Sequence, residues 1–464
     1  MRHFTPLALA ALLAAPAGAQ SSPSATLFSS GQSLVRRTLT VDIPRGTSTH
    51  PLVLGRFDPT TLSILDPGVT IGGVSYDPAT DENALLRRNI GREFVFPVGT
   101  NDKVRARLVG MDPERWEILP GDISSANLTP GVVFSRPGRL VWLPELVPGD
   151  PVADVTITSD RARTALPVMY MVPGGNWGAT YRLFLGRTAR FEGIAQLNAG
   201  VLNLAQAEVQ LLAGDMGQRF KDASVTTGRS SAMLAMEGVA AARGVPSNES
   251  IGEVQLYSLP GRVTFTPGAQ MVVPLFAPAT VAPELRLTVG GGLSYYGGVN
   301  QFPDEMEVPV DVSYRFERKQ GTTFGDLPLP AGGVMVYATD KGGRIQLVGQ
   351  GGIGHTAPGE ELEISTGTAF DVTAKRTQTD YTTTREVVAN NRTRTIATVG
   401  QRVVVTNAKD SAVTVEVRED RAGEWSVLTS SVPPVRRSSS RVVFRVTVPA
   451  KGEATLTYTT RVVW

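Results

Sequence analysis

Cysteine is absent from all 464 residues. Disulfides, thiolate metal sites and cysteine nucleophiles are excluded with it. Stability must come from burial and backbone pairing, which a chain of this size can supply. Histidine is nearly absent too: of three, only His50 and His355 lie beyond the first turns of the N-terminus, in Ser-Thr-His-Pro and Gly-Ile-Gly-His-Thr contexts that read as loops. Zinc and copper sites draw on two or three imidazoles or thiolates, so such a site would need both histidines brought together from distant segments. Past the N-terminus no apolar run approaches the ~18 residues that cross a bilayer as a helix. Net charge is only +2, so bulk charge does not announce a nucleic-acid binder.

What is abundant is punctuation. Forty-eight glycines and 32 prolines break the chain into short pieces, against a hydrophobic share of 41%. That pattern favours many short strands over long helices. Lysine supplies only 7 of the 45 basic residues, leaving 38 arginines. Arginine excess is the ordinary product of a GC-rich genome; its functional reading is a surface for planar, bidentate contacts to carboxylate or phosphate.

The N-terminus reads as an address. Arg2, an apolar run over residues 7–15 and the small-residue site Ala17-Gly18-Ala19 form a secretory signal over residues 1–19, cut before Gln20. The expected location is therefore outside the cytosol, in the periplasm or at the cell surface. A length of 464 divided by roughly 150 predicts about three domains. Residues 20–90 alternate as an N-terminal β segment, with a helix turn over 85–90. Residues 91–145 carry strands about ten residues apart, the cadence of a small barrel. Pro144, Pro148 and Pro151 mark a boundary. Residues 152–320 read as a central β-sandwich with a mobile loop at 218–253, where residues 232–236 are the one candidate helix. Residues 321–464 read as a C-terminal sandwich, with Asp340-Lys341-Gly342-Gly343 as a hairpin turn. The fold class expected is all-β: multi-domain antiparallel β-sandwiches with a small barrel-like N-terminal insert.

The stretch that organises the rest is residues 166–216. It alternates in strand fashion, carries Tyr170, Trp177 and Tyr181, and is broken by Pro173-Gly174-Gly175-Asn176 and Asn198-Ala199-Gly200. Large aromatics at period two predict a core, reached through adjacent antiparallel strands.

Chemistry is harder to find. There is no nucleophile elbow and no phosphate loop, and glycines 290–292 and 351–352 lack a strand-to-helix setting. Asp77, Asp81 and Glu82 are oxygen donors whose spacing matches no calcium loop; carboxylates at a helix start explain them better. Asp304, Glu305 and Glu307 read as a solvated acidic loop. No catalytic residue, metal ligand or cofactor site is expected. Two basic clusters remain: Lys375, Arg376, Arg385, Arg392, Arg394 and Arg402, then Arg436, Arg437, Arg441 and Arg445. Alternate positions on a strand share a face, so Arg392 and Arg394 can point together and grip phosphates in a salt-sensitive, sequence-independent way. The competing reading is edge-strand protection, where charge blocks stray pairing.

The order of motifs resembles an exported bacterial domain-of-unknown-function family that includes the mucoidy-inhibitor-A-like proteins. The similar segments begin at Leu34-Val35-Arg36-Arg37 and Ile43-Pro44-Arg45-Gly46, then Ser75-Tyr76 and Leu85-Leu86-Arg87-Arg88-Asn89-Ile90-Gly91-Arg92. Trp177-Gly178-Ala179-Thr180-Tyr181 and Leu211-Leu212-Ala213-Gly214-Asp215 form the centre. Tyr257-Ser258-Leu259-Pro260, Pro274-Leu275-Phe276, Leu329-Pro330-Ala331-Gly332, residues 349–360 and 367–372, Asn407-Ala408-Lys409 and Pro449-Ala450-Lys451-Gly452-Glu453 continue it. The long helical hairpin of some members is missing, and Ile194 lies where an aromatic is usual. The resemblance implies β-sandwiches and an envelope setting, and supplies no catalytic residues. The expectation is a non-enzymatic envelope component that is structural or binds other envelope proteins or copies of itself. The alternative is a polyanion- or DNA-binding protein working through the arginines.

Overall fold

The computed structural model describes residues 22–78, 81–98, 102–120, 130–143, 147, 151–214, 246–291, 305–388, 392–420 and 424–463. Among the described residues the regular structure is almost wholly β. The signal segment expected over residues 1–19, most of the loop expected at 218–253 with residues 232–236, and Asp304 lie outside the described residues. The described end of that loop, Ser247–Ile251, is a strand paired to Val254–Phe265.

The organising stretch builds one side of a central sandwich and crosses to the other. Arg163–Pro173 belongs to a seven-stranded sheet with Gln32–Ile43, Ser24–Phe28, Leu204–Ala213 and Val254–Phe265. Asn176–Phe184 and Ala189–Asn198 belong to a second sheet with Gly332–Thr339 and Ile345–Ile353. Pro173-Gly174-Gly175-Asn176 is therefore a passage between sheets and not a hairpin. The passage is tight: Gly174 and Gly200, both at positive φ, pack backbone on backbone, and a Cβ on Gly200 would stand 2.2 Å from the Gly174 carbonyl carbon. Tyr170, Trp177 and Tyr181 enter the shared core with Leu27, Leu183, Phe191 and Leu211. Each such buried side chain contributes roughly 1.5–3 kcal/mol of transfer free energy. Trp177 Nε1 donates to the Leu212 carbonyl at 3.0 Å, so the indole ties the two sheets together while its N–H stays satisfied.

A second sandwich is formed by a six-stranded sheet (Leu362–Thr368, Val310–Phe316, Glu284–Gly291, Val413–Asp420, Arg441–Val448, Pro434–Arg437) and a five-stranded one (Met306–Val308, Val372–Val388, Arg392–Asn407, Gly452–Val463, Glu424–Ser430). Its core is rich in valine, with Leu287, Phe444, Leu456 and Tyr458. The third unit sets the helix Glu82–Arg88 against Glu93–Val98, Asp102–Met111, Glu114–Ile118 and Gly131–Val133, around Phe94, Phe96 and Trp116.

Three expectations are corrected by this pairing. The small unit is an open four-stranded sheet, with no pairing among the described residues that closes it into a barrel. The sheets are mixed: Ser24–Phe28 with Leu204–Ala213, Asn176–Phe184 with Gly332–Thr339, and Glu284–Gly291 with Val413–Asp420 run parallel. The sandwiches also do not follow chain order. Strands at 24–43 enter the central sheet, those at 284–316 enter the C-terminal sandwich, and Gly332–Ile353 returns to the central one. Parallel partners need long crossovers, and local alternation carries no record of which distant strand completes a pair.

The segment at 317–331 carries the chain back to the central sandwich and is clamped there. Arg318, 2% exposed, donates to the carbonyls of Ala357 (2.9 Å), Phe324 (3.0 Å) and Leu327. Tyr181 Oη donates to the Pro330 carbonyl at 2.6 Å and Tyr257 Oη to the Pro328 carbonyl at 2.9 Å. Burial pushes both phenols above their ordinary pKa, keeping them protonated donors.

Candidate interaction surfaces

The arginine clusters are spread over the second sandwich, and most of their described charge is answered locally. Lys375 Nζ lies 2.7 Å from Glu305, Arg394 Nη2 2.9 Å from Glu386, Arg441 Nε 2.5 Å from Asp420 and Arg445 Nη2 3.2 Å from Glu416. Arg376 is not on the surface. It is 3% exposed, its Nη2 lies 2.5 Å from Oε1 of the fully buried Glu419, and its Nη1 donates to Tyr458 Oη at 3.2 Å. Alternation places it on the inner face, in the register row of Val403 and Leu456. The next row holds Gln401, also buried, so the valine core gives way to a polar end. Arg385 and Arg402 are exposed with no ion pair among the described residues. Arg392 pairs through its backbone with Val388, Arg436 with Val443 and Arg437 with Val442; their side chains lie outside the described residues.

The carboxylates near the helix have structural partners. Asp81 caps the helix, accepting from Ala84 N at 3.0 Å. Glu82 pairs with Arg136 at 2.8 Å, and Asp77 with Arg88 at 2.8 Å. Arg136 also pairs with Glu114 at 2.8 Å, and both carboxyls are held below their usual range, first by the hydrogen bond from that guanidinium. His50 is not in a loop: it lies in the strand Gly46–Val53, with Nε2 2.7 Å from Ser48 Oγ. His355 Nδ1 accepts from Ala331 N at 3.3 Å beside the Leu329–Thr356 bridge. Among the described residues no group of three metal-ligating side chains converges.

A surface that sequence reading missed crosses the outer face of the central sandwich. Pairing register aligns Thr280, Arg190, Phe184, Tyr337 and Leu347 in one row over five strands. Their neighbours Leu183, Phe191 and Val336 point into the core, so the row faces out. The Arg190 guanidinium carbon lies 4.8 Å from the Phe184 ring centroid, and Phe184 stacks on Tyr337 at 5.1 Å with 16° between planes. Arg190 Nε is also held 2.8 Å from Glu192. A groove of about 360 Å³ runs beside the row, lined by Leu185, Thr188, Pro278, Thr339 and Ile345 among others. The face ends in an edge of apolar side chains: Ile345 is 62% exposed, Leu347 48% and Val348 50%. The Asp340 turn sits at the same end, its carboxylate taking Arg344 N and Gly342 N at 2.9 Å and Gln346 Nε2 at 3.1 Å. Those bonds, the Arg344 backbone first, lower the Asp340 pKa. The hairpin turn was legible in the sequence, whereas the row was not, because it joins residues from 184, 190, 280, 337 and 347.

No protein-family model matches the chain, and no curated protein matches it.

Proposed function

We propose that this protein is an exported, non-enzymatic component of the cell envelope that acts by holding other envelope proteins or copies of itself. The observation that carries the reading is the outward-facing row of the half-buried Phe184 and Tyr337 on the central sheet, which ends in the exposed Ile345, Leu347 and Val348. Exposed large apolar groups that cluster at a sheet edge mark interaction sites. The secretory pattern of residues 1–19 supports export to the periplasm or surface, and the resemblance to mucoidy-inhibitor-A-like proteins supports an envelope setting. The test is fractionation of the native cells with N-terminal sequencing, followed by identification of co-purifying proteins. A chain that keeps its first 19 residues and stays in the cytosol refutes export; a chain that comes out of the envelope alone and monomeric refutes the interaction role.

The alternative, sequence-independent binding of polyanions or DNA, rests on Arg385 and Arg402, whose exposed guanidiniums face solvent without an ion pair among the described residues. Binding to duplex DNA across a salt series tests it: affinity that falls steeply with salt and drops in Arg385→Ala with Arg402→Ala is expected, and no binding at low salt ends it.

A further inference from the structure

We propose that the free edge at residues 345–348 takes up an extended acidic segment of a partner protein as an added β-strand. The proposal deepens the interaction reading by naming the partner's chemistry. The strand Ile345–Ile353 is the last of its sheet. Its far half is covered, because Gly351 lies so close to Leu362–Thr368 that a Cβ would stand 2.1 Å from the Ser365 carbonyl oxygen. Its near half is open: residues 345–348 are four consecutive exposed positions, and no described strand pairs with their outer side. Unpaired backbone N–H and C=O groups in a row are satisfied best by another strand.

Two other edges in this protein carry charge against that event. Val372–Val388, beyond its short partner Met306–Val308, exposes Asp380, Arg385 and Glu386, and Ser247–Ile251 exposes Glu249. The 345–348 edge exposes Ile, Leu and Val instead. Ile345 and Leu347 share a face with Thr339 and Tyr337, so alternate side chains of an added strand would run along the groove beside Tyr337 and Phe184.

Charge selects the occupant. Arg187, Arg190, Lys341 and Arg344 outnumber Glu192 and Asp340 at this end of the sheet, and Arg344 is 80% exposed. A second copy would bring further cations to an edge already rich in them, which disfavours pairing, whereas a segment with carboxylates beside its apolar residues gains from those cations.

The test uses the purified mature chain and a labelled seven-residue peptide alternating Val and Glu, read by fluorescence anisotropy, with the Val/Lys peptide as control. The acidic peptide should bind at low salt, about tenfold or more tighter than the basic one, and should slow amide exchange over residues 345–348. Ile345→Thr with Leu347→Thr, which keeps strand propensity, should weaken binding about tenfold. No binding of the acidic peptide, equal binding of the basic one, or an unchanged affinity in the double variant overturns the proposal. A dimer in sedimentation that the same double variant dissociates also overturns it, by giving the edge to a second copy. Export and edge binding fail separately: a cytosolic protein still gives the peptide result, and a peptide that fails to bind leaves the fractionation result untouched.

Discussion

Replacing Arg376 with methionine removes one half of an ion pair buried inside the C-terminal sandwich and leaves Glu419 without its cation. Arg376 is 3% exposed and Glu419 0%, with 2.5 Å between Nη2 and Oε1. Methionine keeps the length of the stem and fills similar space, so the packing loss is small and the stranded carboxylate dominates. Breaking a buried pair from one side costs about 3–5 kcal/mol. With a urea dependence of about 2 kcal/mol/M, the transition of this sandwich moves down by about 2 M. Replacing both partners, Arg376→Met with Glu419→Leu, removes the uncompensated charge, and most of the loss returns. Because the chain contains several cores, one global transition is not the right readout. Urea-dependent hydrogen exchange of the Val413–Asp420 amides reports this sandwich alone. A shift below about 0.5 M for the single variant refutes the buried-pair reasoning, as does a double variant no better than the single. If Arg376 gripped a phosphate instead, the single variant would lose polyanion affinity with stability intact.

Three further perturbations follow from named contacts. Tyr181→Phe or Tyr257→Phe leaves a proline carbonyl of the 317–331 segment without its donor; each should cost about 1–3 kcal/mol in urea-dependent hydrogen exchange of the central-sheet Asn176–Phe184 amides. The two phenols hold the same segment, so the double variant should depart from additivity by about 0.5 kcal/mol or more. Asp66 is held down to about 2 from the ordinary 3.8, first by the Arg163 guanidinium and then by Gly68 N–H. Because the folded value is depressed, its contribution is complete above the ordinary pKa and vanishes as pH falls through about 2. In Asp66→Asn the acid-unfolding curve should flatten over that window, and an unchanged curve refutes the coupling. Gly351→Ala should cost about 1–3 kcal/mol, because the Ser365 carbonyl oxygen stands 2.1 Å from the new Cβ position and the two sandwiches must part there; urea-dependent hydrogen exchange of the Leu362–Thr368 amides reads it.

The candidate surfaces show what one chain order can and cannot convey. Asp81 at a helix start and the Asp340 turn are local events, written within four residues, and both formed where expected. Arg376 reads as one more surface arginine because Lys375, Arg385 and Arg394 surround it in sequence. Its burial depends on Glu419, which lies on the facing sheet. A close reading of alternation carries the signal: Val372 and Ala374 point inward, and Arg376 is next on the same face.

From its amino acids alone, this protein is committed to strands, to the turns that separate them and to an aromatic core around Tyr170, Trp177 and Tyr181. These follow from the backbone preferences of glycine and proline and from side-chain alternation, which act over a few residues. Tertiary structure decided which strands become neighbours: the parallel pair of Asn176–Phe184 with Gly332–Thr339, the return of Gly332–Ile353 to the central sheet, and the open edge at 345–348. Backbone hydrogen bonds are the same for every strand, so partner choice rests on the fit of whole buried faces, and those faces exist only once distant segments have met.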